Sequence, residues 1–277
     1  VYAGNDPVAP GFPGLFADAE EFSILDLGHP VGLGVLRPGQ DHAGALTLAL
    51  AQSVEHIVAV EKDTHLINLL EKKLARAGIR NVTLVSHDIL RWDFRRIKLP
   101  PSTKLQVIGN LPYNISSHFL KKLIENKMLI GRAILMLQVE VARRLTASPC
   151  GKAYGALTLL VRYHAYPVTL LEVSKEAFYP KPKVDSAVVE LDFDRPYPNV
   201  SVREEDFNNV VKGAFAHRRK TLLNSLRNSY PSFNREALLD AMKKCKIDPK
   251  RRAETLHMDE FLRLTSALSL TEGYGKC

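Results

Sequence analysis

The tetrapeptide Asn110-Leu111-Pro112-Tyr113 combines residue types that can orient an amine on a flat base. The side-chain carbonyl of Asn110 and a main-chain carbonyl of Leu111 or Pro112 are hydrogen-bond acceptors. Two acceptors placed at the two hydrogens of adenine N6 favour a pyramidal nitrogen, whose lone pair can then attack a sulfonium methyl group. Tyr113 offers a ring for stacking, and Pro112 keeps the turn rigid. The alternative is a turn that merely leaves a strand.

The segments around this tetrapeptide alternate between strand and helix patterns. Strands are predicted over Val54–Glu61, Asn81–Val85, Lys104–Gly109, Ala133–Gln138 and Ala187–Phe193, and helices over Thr64–Gly78, from Ser116 or Ser117 to Lys127, and over Val139–Thr146. Residues 156–165 fit either a helix or a strand. This alternation predicts an α/β fold with a mostly parallel, doubly wound sheet, in which ligands bind at the carboxyl ends of the strands.

The pattern changes near residue 197, where a polar, proline-containing stretch indicates a linker. We therefore predict an α/β domain over residues 1–197 and a small helical domain over residues 198–277. Ser201 and Glu204 have the spacing of a capping box at the first helix of the second domain. Breaks are expected at Tyr230-Pro231 and Asp248-Pro249.

Composition and charge limit the possible classes of protein. The chain has 277 residues, of which 45% are hydrophobic and 25% charged, and no apolar run long enough for a membrane span. Residues 1–14 lack the features of a signal peptide, so we expect a cytoplasmic protein. Three scattered cysteines predict neither disulfides nor a zinc site. The net charge is +8, yet residues 1–60 contain seven acidic residues and one basic residue, so the rest of the chain should interact with polyanions.

Two carboxylates follow neighbouring predicted strands. Glu61 ends one strand, where a carboxylate can accept hydrogen bonds from both hydroxyls of a ribose, and Asp88 follows the next strand. Each of them could instead be a solvated residue in a turn. Their combination with Asn110 on a third strand favours contact with a ligand.

Several longer motifs resemble the KsgA-type family of small-subunit (16S) rRNA adenine N6,N6-dimethyltransferases. They are Gly109-Asn-Leu-Pro-Tyr-Asn-Ile-Ser116, Leu137-Gln-Val-Glu-Val-Ala-Arg-Arg-Leu145, Tyr154-Gly-Ala-Leu157, Phe178-Tyr-Pro-Lys-Pro-Lys-Val-Asp-Ser186 and Phe215-Ala-His-Arg-Arg-Lys-Thr-Leu222. The resemblance extends from about Ala43 to Leu268. The related Erm-type large-subunit enzymes usually have NIPY and lack VDSAVV, so Leu111 and Asp185-Ser186 favour the small-subunit family.

The resemblance implies a Rossmann-like methyltransferase domain, a helical C-terminal domain and S-adenosylmethionine as the cofactor, which becomes S-adenosylhomocysteine, without a metal. It also implies a monomer that acts on two adjacent adenines near the 3′ end of small-subunit rRNA in a pre-30S-type particle. The implied catalytic residues are Asn110, Leu111, Pro112, Tyr113 and Phe178. The implied cofactor-binding residues are Gly39, Gly44, Glu61, Lys62, Asp88, Ile89 and Asn110. The implied RNA-binding residues are Lys181, Lys183, Arg218, Arg219 and Lys220.

The chain departs from the family at the glycine-rich loop, whose usual form is GPGLG followed by [AS]LT. Gly44 starts a matching Gly-Ala-Leu-Thr, seventeen residues before Glu61, but Gln40-Asp41-His42 precedes it. A rival loop spans residues 28–34, and the sequence does not decide between them. The family's N-terminal arm is not recognisable in the acidic residues 1–34. The alternatives are therefore an enzyme acting on another RNA or on DNA, including an Erm-type enzyme, and an RNA-binding assembly or transcription factor with little turnover.

Overall fold

The computed structural model describes residues 23–26, 44–178, 181–198, 201–229 and 234–272. The strands in these segments are β1 Ser23–Asp26, β2 Ile57–Glu61, β3 Val82–Ser86, β4 Leu105–Asn110, β5 Ile130–Gln138, β6 Tyr166–Val173 and β7 Ser186–Asp192. The helices are α1 Ala45–Leu50, α2 Thr64–Ala77, α3 Ser116–Glu125, α4 Val139–Thr146, α5 Ala156–His164, α6 Glu204–Phe215, α7 Leu222–Ser229, α8 Arg235–Lys244 and α9 Met258–Glu272. The chain divides into two compact units.

The first unit, Val1–Leu137 with Val173–Ser186, contains a parallel sheet. Its strands lie in the order β3-β2-β1-β4-β5, and each neighbouring pair in this order is parallel. Every residue of β2 is buried. Such a continuous apolar run is typical of a parallel strand that is covered on both faces.

The connections of this sheet have recognisable local causes. Asp63 caps α2 by accepting a hydrogen bond from the backbone nitrogen of His65 at 2.8 Å, and Gly78 ends the helix in the left-handed conformation. The buried face of α2 carries Leu70 and Leu74. The hydrogen bond to Asp63 and the left-handed conformation of Gly78 therefore define the two ends of α2, after which the chain continues to β3.

The second unit, Gln138–Glu172 with Ala187–Cys277, is mainly helical. Its core contains Phe207 from α6, Leu226 from α7 and Phe261 from α9, all with no exposed surface. The hydroxyl group of Tyr154 donates a hydrogen bond to the carbonyl oxygen of Leu256 at 2.8 Å, which satisfies a polar group within this core. Burial raises the pKa of the Tyr154 hydroxyl well above its usual range.

The predicted α/β fold with a mostly parallel sheet is confirmed. Two predicted caps are wrong. Arg203 occupies the N-cap position of α6, so Ser201 lies too early to cap it, and α3 already includes Ser116, with Ile115 at its N-cap. Residues 156–164 form a helix, and β6 follows them at a place where no strand was predicted.

The two compact units do not correspond to a single cut of the chain, because residues 138–172 and 187–197 belong with the C-terminal helices. The predicted boundary between residues 197 and 198 stays a prediction, since packing alone does not determine which segment folds by itself. No helix in the described segments is both long and apolar enough to cross a membrane.

Candidate active site

The carboxyl ends of the central strands meet at one edge of the sheet in the first unit. Asp26 of β1 is paired with Val60 on one side and with Gly109 on the other, and Glu61 is paired with Ser86. The residues that follow these pairs include Asp88 and Asn110. The structure therefore brings the strand ends that carry three of the predicted ligand-binding residues to the same edge.

Glu61 is buried at the end of β2, with 5% of its surface exposed. One carboxylate oxygen, Oε1, accepts hydrogen bonds from the backbone nitrogens of Lys62 and Asp63, both at 2.7 Å. The other, Oε2, is buried and has no hydrogen-bond partner in the described part of the chain. Because leaving a buried carboxylate oxygen unpaired costs free energy, this atom is suited to accept hydrogen bonds from a ligand.

The loop after β3 presents Asp88 beside Glu61. Its Oδ1 accepts a hydrogen bond from the backbone nitrogen of Leu90 at 3.0 Å, and its Oδ2 lies 3.3 Å from Lys62 Nζ. Partial burial opposes ionisation of this carboxyl, but these two hydrogen bonds and the nearby positive charges of Lys62 and Arg91 lower its pKa below the usual value. Asp88 is therefore a carboxylate at neutral pH, while the neighbouring Ile89 is buried.

Among the residues of the two candidate glycine loops, Gly44 is the one that the structure describes. It has φ of 78°, and a Cβ built on it would lie 2.3 Å from Leu70 Cδ1 on α2, so both conformation and packing require glycine. Gly39 and residues 28–34 lie outside the described residues. Because β1 ends at Asp26 and α1 begins at Ala45, both candidate loops belong to the same β1–α1 connection.

The tetrapeptide 110–113 leaves the sheet in a turn. Asn110 is the last residue of β4 and is half-buried, Leu111 is buried, and Pro112 precedes a 3₁₀ turn over Tyr113–Ile115. The sequence did not predict what holds Tyr113. Its hydroxyl group lies 2.6 Å from Ser186 Oγ, the first residue of β7.

Phe178 ends a second 3₁₀ turn, Lys175–Ala177, and only 5% of its surface is exposed. Phe178 is one of the catalytic residues that the resemblance implies, and its burial means that a base can stack on its ring only if covering groups move. Lys181 forms an ion pair with Glu176 at 2.5 Å across this turn, while Lys183 is exposed.

Arg218, Arg219 and Lys220 lie in the connection between α6 and α7. All three are exposed. The backbone nitrogen of Leu222 donates to the carbonyl oxygen of Arg251 at 2.7 Å, and Arg218 Nη2 donates to the carbonyl oxygen of Lys152 at 2.7 Å. These bonds join three loops into one surface.

This three-loop surface comprises exposed residues that share a positive charge: Lys152, Arg218, Arg219, Lys220, Lys250 and Arg252. Lys152 was not among the predicted RNA-binding residues, because it is distant in sequence from the Arg-Arg-Lys motif. Within the described ranges, no three His, Cys, Asp or Glu side chains gather as metal ligands. The expectation of a metal-free site stays a prediction.

Comparison with known proteins agrees with this arrangement. A sequence model described as "Ribosomal RNA adenine dimethylase" matches residues 37–269. The chain belongs to this family. The resemblance stated from the motifs is thereby confirmed, and the protein is an rRNA adenine dimethylase by family, within the methyltransferase class of enzymes.

Relatives of this family member match most of the chain. A protein named "Ribosomal RNA small subunit methyltransferase A" from Desulforapulum autotrophicum is 43% identical over 225 residues, covering 81% of this chain and 78% of the relative. A protein of the same name from Bacillus cereus is 38% identical over 251 residues, covering 88% and 84%.

Solved structures support the fold. A dimethyladenosine transferase from Plasmodium falciparum superposes with a TM-score of 0.71 at 23% identity, covering 95% of this chain and 97% of that one. The 23S rRNA methyltransferase ErmE superposes with a TM-score of 0.66 at 23% identity, covering 92% and 94%. At this level of identity, the two structures support the assignment of the fold and nothing further.

Proposed function

We propose that this chain transfers methyl groups from S-adenosylmethionine to N6 of two adjacent adenines near the 3′ end of small-subunit rRNA. The observation that carries the proposal is the buried Oε2 of Glu61, which has no hydrogen-bond partner among the described residues, at the sheet edge where Asn110 also ends its strand. A buried acceptor for a ribose and an amide acceptor for an amine are the two parts that such a transfer requires.

The residues present fit the cofactor. When bound, S-adenosylmethionine supplies an electrophilic methyl group on a sulfonium. Glu61 would accept hydrogen bonds from the ribose hydroxyls, with Lys62 beside it, because Oε2 is unpaired while Oε1 is already held by two backbone nitrogens. Asp88 would accept a hydrogen bond from the adenine amine, and Ile89 would pack against the ring. Gly44 and Gly39 would let the backbone approach the cofactor.

Asn110 and the carbonyl groups of Leu111 and Pro112 would orient the substrate amine. Hydrogen bonds from both N6 hydrogens to these oxygens would direct the nitrogen lone pair toward the methyl group. The burial of Leu111 and the fixed φ of Pro112, −54°, support a preorganised turn. The proton released from N6 would pass to solvent.

Tyr113 and Phe178 would stack on the two faces of the base. Aromatic stacking contributes about 1–3 kcal/mol per base and tolerates any of the bases. The low exposure of Phe178 implies that the groups covering its ring move when the base enters. Such a movement fits an enzyme whose target must be extruded from stacked RNA.

The three-loop surface would bind phosphate groups of the RNA. Six exposed cations form a positive surface on loops that are joined by a backbone hydrogen bond and by a hydrogen bond from the Arg218 side chain. Lys181 and Lys183 would add contacts beside the base. Phosphate contacts of this kind make affinity fall with rising salt concentration, without specifying sequence.

The partner would be the small-subunit rRNA in a pre-30S-type particle, with the enzyme acting as a cytoplasmic monomer. The names of the two relatives support this choice over a large-subunit target.

The proposal is tested by incubating the protein with S-adenosylmethionine and small-subunit particles that lack dimethyladenosine, followed by mass spectrometry of the rRNA. We expect dimethylation of two adjacent adenines, and loss of at least about 100-fold in rate for Asn110→Ala, in line with removal of a preorganised polar group. Methylation of large-subunit rRNA instead would identify the protein as an Erm-type enzyme, and methylation of DNA would identify it as a related enzyme that acts on DNA.

Isothermal titration with S-adenosylmethionine tests the non-enzymatic alternative. We expect binding in the micromolar range. Absence of binding, together with retained binding to the particle, would favour an assembly factor with this fold and would contradict the proposed transfer.

A further inference from the structure

Ser186 lies behind the proposed catalytic turn. It has no exposed surface, and its Oγ is 2.6 Å from the hydroxyl group of Tyr113. A buried hydroxyl group needs a hydrogen-bond partner, because an unsatisfied one costs about 1–3 kcal/mol. The pair therefore fixes the end of the Tyr113 side chain to the start of β7.

The residue before it, Asp185, contacts the turn that leads to the other aromatic residue, Phe178. Its Oδ1 accepts a hydrogen bond from the backbone nitrogen of Lys175 at 2.9 Å. Lys175 begins the 3₁₀ turn that precedes Phe178. The carbonyl oxygen of Lys175 accepts a hydrogen bond from the backbone nitrogen of Phe178 at 3.3 Å. Two adjacent residues thus contact the two segments that carry Tyr113 and Phe178.

We propose that Asp185 and Ser186 are positioning residues that set the spacing between the Tyr113 ring and the turn of Phe178. The inference rests on the proposed function, in which these two side chains stack on the base. A base clamp works only if its two sides are held at a defined separation, and such precision comes from supporting hydrogen bonds. Neither residue needs to touch the substrate or the cofactor.

The hydrogen bond between Tyr113 and Ser186 is tested by a double-mutant cycle. The variants are Tyr113→Phe, which keeps the ring, Ser186→Ala, and both together, with kcat, the KM for the particle and the affinity for S-adenosylmethionine measured for each. We expect each single variant to lower kcat about fivefold to tenfold with cofactor affinity within about twofold. Because both remove the same interaction, the double variant should be no slower than the slower single variant.

Tyr163→Phe is the matched control. Tyr163 is a buried tyrosine of the second unit whose hydroxyl group donates to the carbonyl oxygen of Val202 at 2.8 Å. Its loss should lower stability while leaving kcat unchanged. If the control lowers kcat as much as Tyr113→Phe does, the effect is general destabilisation and the positioning role is refuted.

Asp185 is tested by a conservative pair of variants. Asp185→Asn retains a carbonyl oxygen that can accept from Lys175, whereas Asp185→Ala does not. We expect Asp185→Ala to lower kcat about fivefold and Asp185→Asn to restore most of it. Equal losses in the two variants would overturn the assignment of Asp185.

Failure of this inference can be separated from failure of the proposed function. If Tyr113→Ala and Asn110→Ala both keep full activity, the proposed site is wrong. If they are inactive but Tyr113→Phe and Ser186→Ala each retain the wild-type kcat, or their losses multiply in the double variant, the site stands and the positioning role is overturned. Tyr113→Phe decides the matter even if Ser186→Ala does not fold.

Discussion

Lys122 Nζ donates a hydrogen bond to the carbonyl oxygen of Ile89 at 2.6 Å. It also donates to the carbonyl oxygen of Trp92 and lies 4.8 Å from the centre of the Phe94 ring. Lys122 belongs to α3, the helix that follows the tetrapeptide 110–113, whereas Ile89 belongs to the loop proposed to hold the cofactor adenine. One ammonium group thus connects the proposed cofactor loop to the helix behind the proposed catalytic turn.

Replacement of Lys122 by methionine should loosen the loop of Asp88 and Ile89. Two carbonyl oxygens of buried residues lose a charged donor, so we expect a loss of about 2 kcal/mol in unfolding free energy and weaker cofactor binding, by about fivefold to tenfold. Urea denaturation and isothermal titration measure the two effects.

Lys121→Met is the control for that variant. The Lys121 side chain is 77% exposed and forms a surface ion pair with Glu125 at 3.6 Å, so its loss should cost at most about 0.5 kcal/mol. If the two variants lose the same unfolding free energy and the same cofactor affinity, the contacts of Lys122 do not organise the loop of Asp88 and Ile89.

Glu61→Gln should separate cofactor affinity from stability. Glutamine keeps one oxygen for the backbone nitrogens of Lys62 and Asp63 but replaces the unpaired carboxylate oxygen by an amide. We expect affinity for S-adenosylmethionine to fall about 30-fold to 100-fold, because hydrogen bonds to a charged acceptor are worth about 1.5–3 kcal/mol. Unfolding free energy should change by less than about 1 kcal/mol, since that oxygen has no hydrogen-bond partner in the described segments.

The exposed Glu55, which precedes the same strand, provides the comparison variant Glu55→Gln. Its affinity for the cofactor should equal that of the wild type. A Glu61→Gln protein that binds S-adenosylmethionine as tightly as Glu55→Gln would remove Glu61 from the site.

The strand ends of the candidate site could be predicted because each is marked locally. β2 and β4 are short apolar runs that stop at a polar residue, Glu61 or Asn110, and parallel strands bring such ends to one edge. β1, Ser23–Asp26, was not predicted, because a run of only four residues carries little periodicity. β6 was missed because Pro167 weakens its strand pattern directly after a helix.

The contacts that hold the site could not be predicted. Tyr113 and Ser186 are separated by 73 residues, and Lys122 and Ile89 by 33. Each residue taken alone has an ordinary local role, Ser186 as a strand residue and Lys122 as a polar helix residue. Their pairing depends on the packing of whole elements, which periodicity and spacing do not encode.

Gly44→Ala should destabilise the protein more than Gly78→Ala. Both glycines have positive φ, 78° and 69°, so alanine is strained at each by about 1 kcal/mol. At Gly44 the added methyl group would also lie 2.3 Å from Leu70 Cδ1, whereas at Gly78 it would meet nothing within 4 Å. Overpacking adds about 1–3 kcal/mol. Urea denaturation of the two variants measures the difference, and equal losses would contradict the close packing of Gly44 on α2.

Glu260 should make the second unit sensitive to acid. Partial burial alone would raise the pKa of its carboxyl, but hydrogen bonds from Arg251 and from the backbone nitrogen of His257 lower it below the usual 4.5. The two closest bonds are 2.6 Å from Arg251 Nη1 and 2.8 Å from His257. Because the pKa is lower in the folded state, this stabilisation is present above pH 4.5 and is lost as the pH falls through the folded value.

Glu260→Gln should therefore cost about 1–3 kcal/mol in unfolding free energy at neutral pH, and its difference from the wild type should shrink as the pH falls below 4.5. The control is Glu236→Gln. Glu236 is exposed and, like Glu260, lies in the first turn of its helix, so both substitutions remove the same interaction with the helix dipole. Urea denaturation at several pH values measures both differences. A difference between Glu260→Gln and the wild type that stays constant down to about pH 3 would show that the ionised carboxylate of Glu260 does not stabilise the fold, because linkage requires the effect to vanish once the group is protonated.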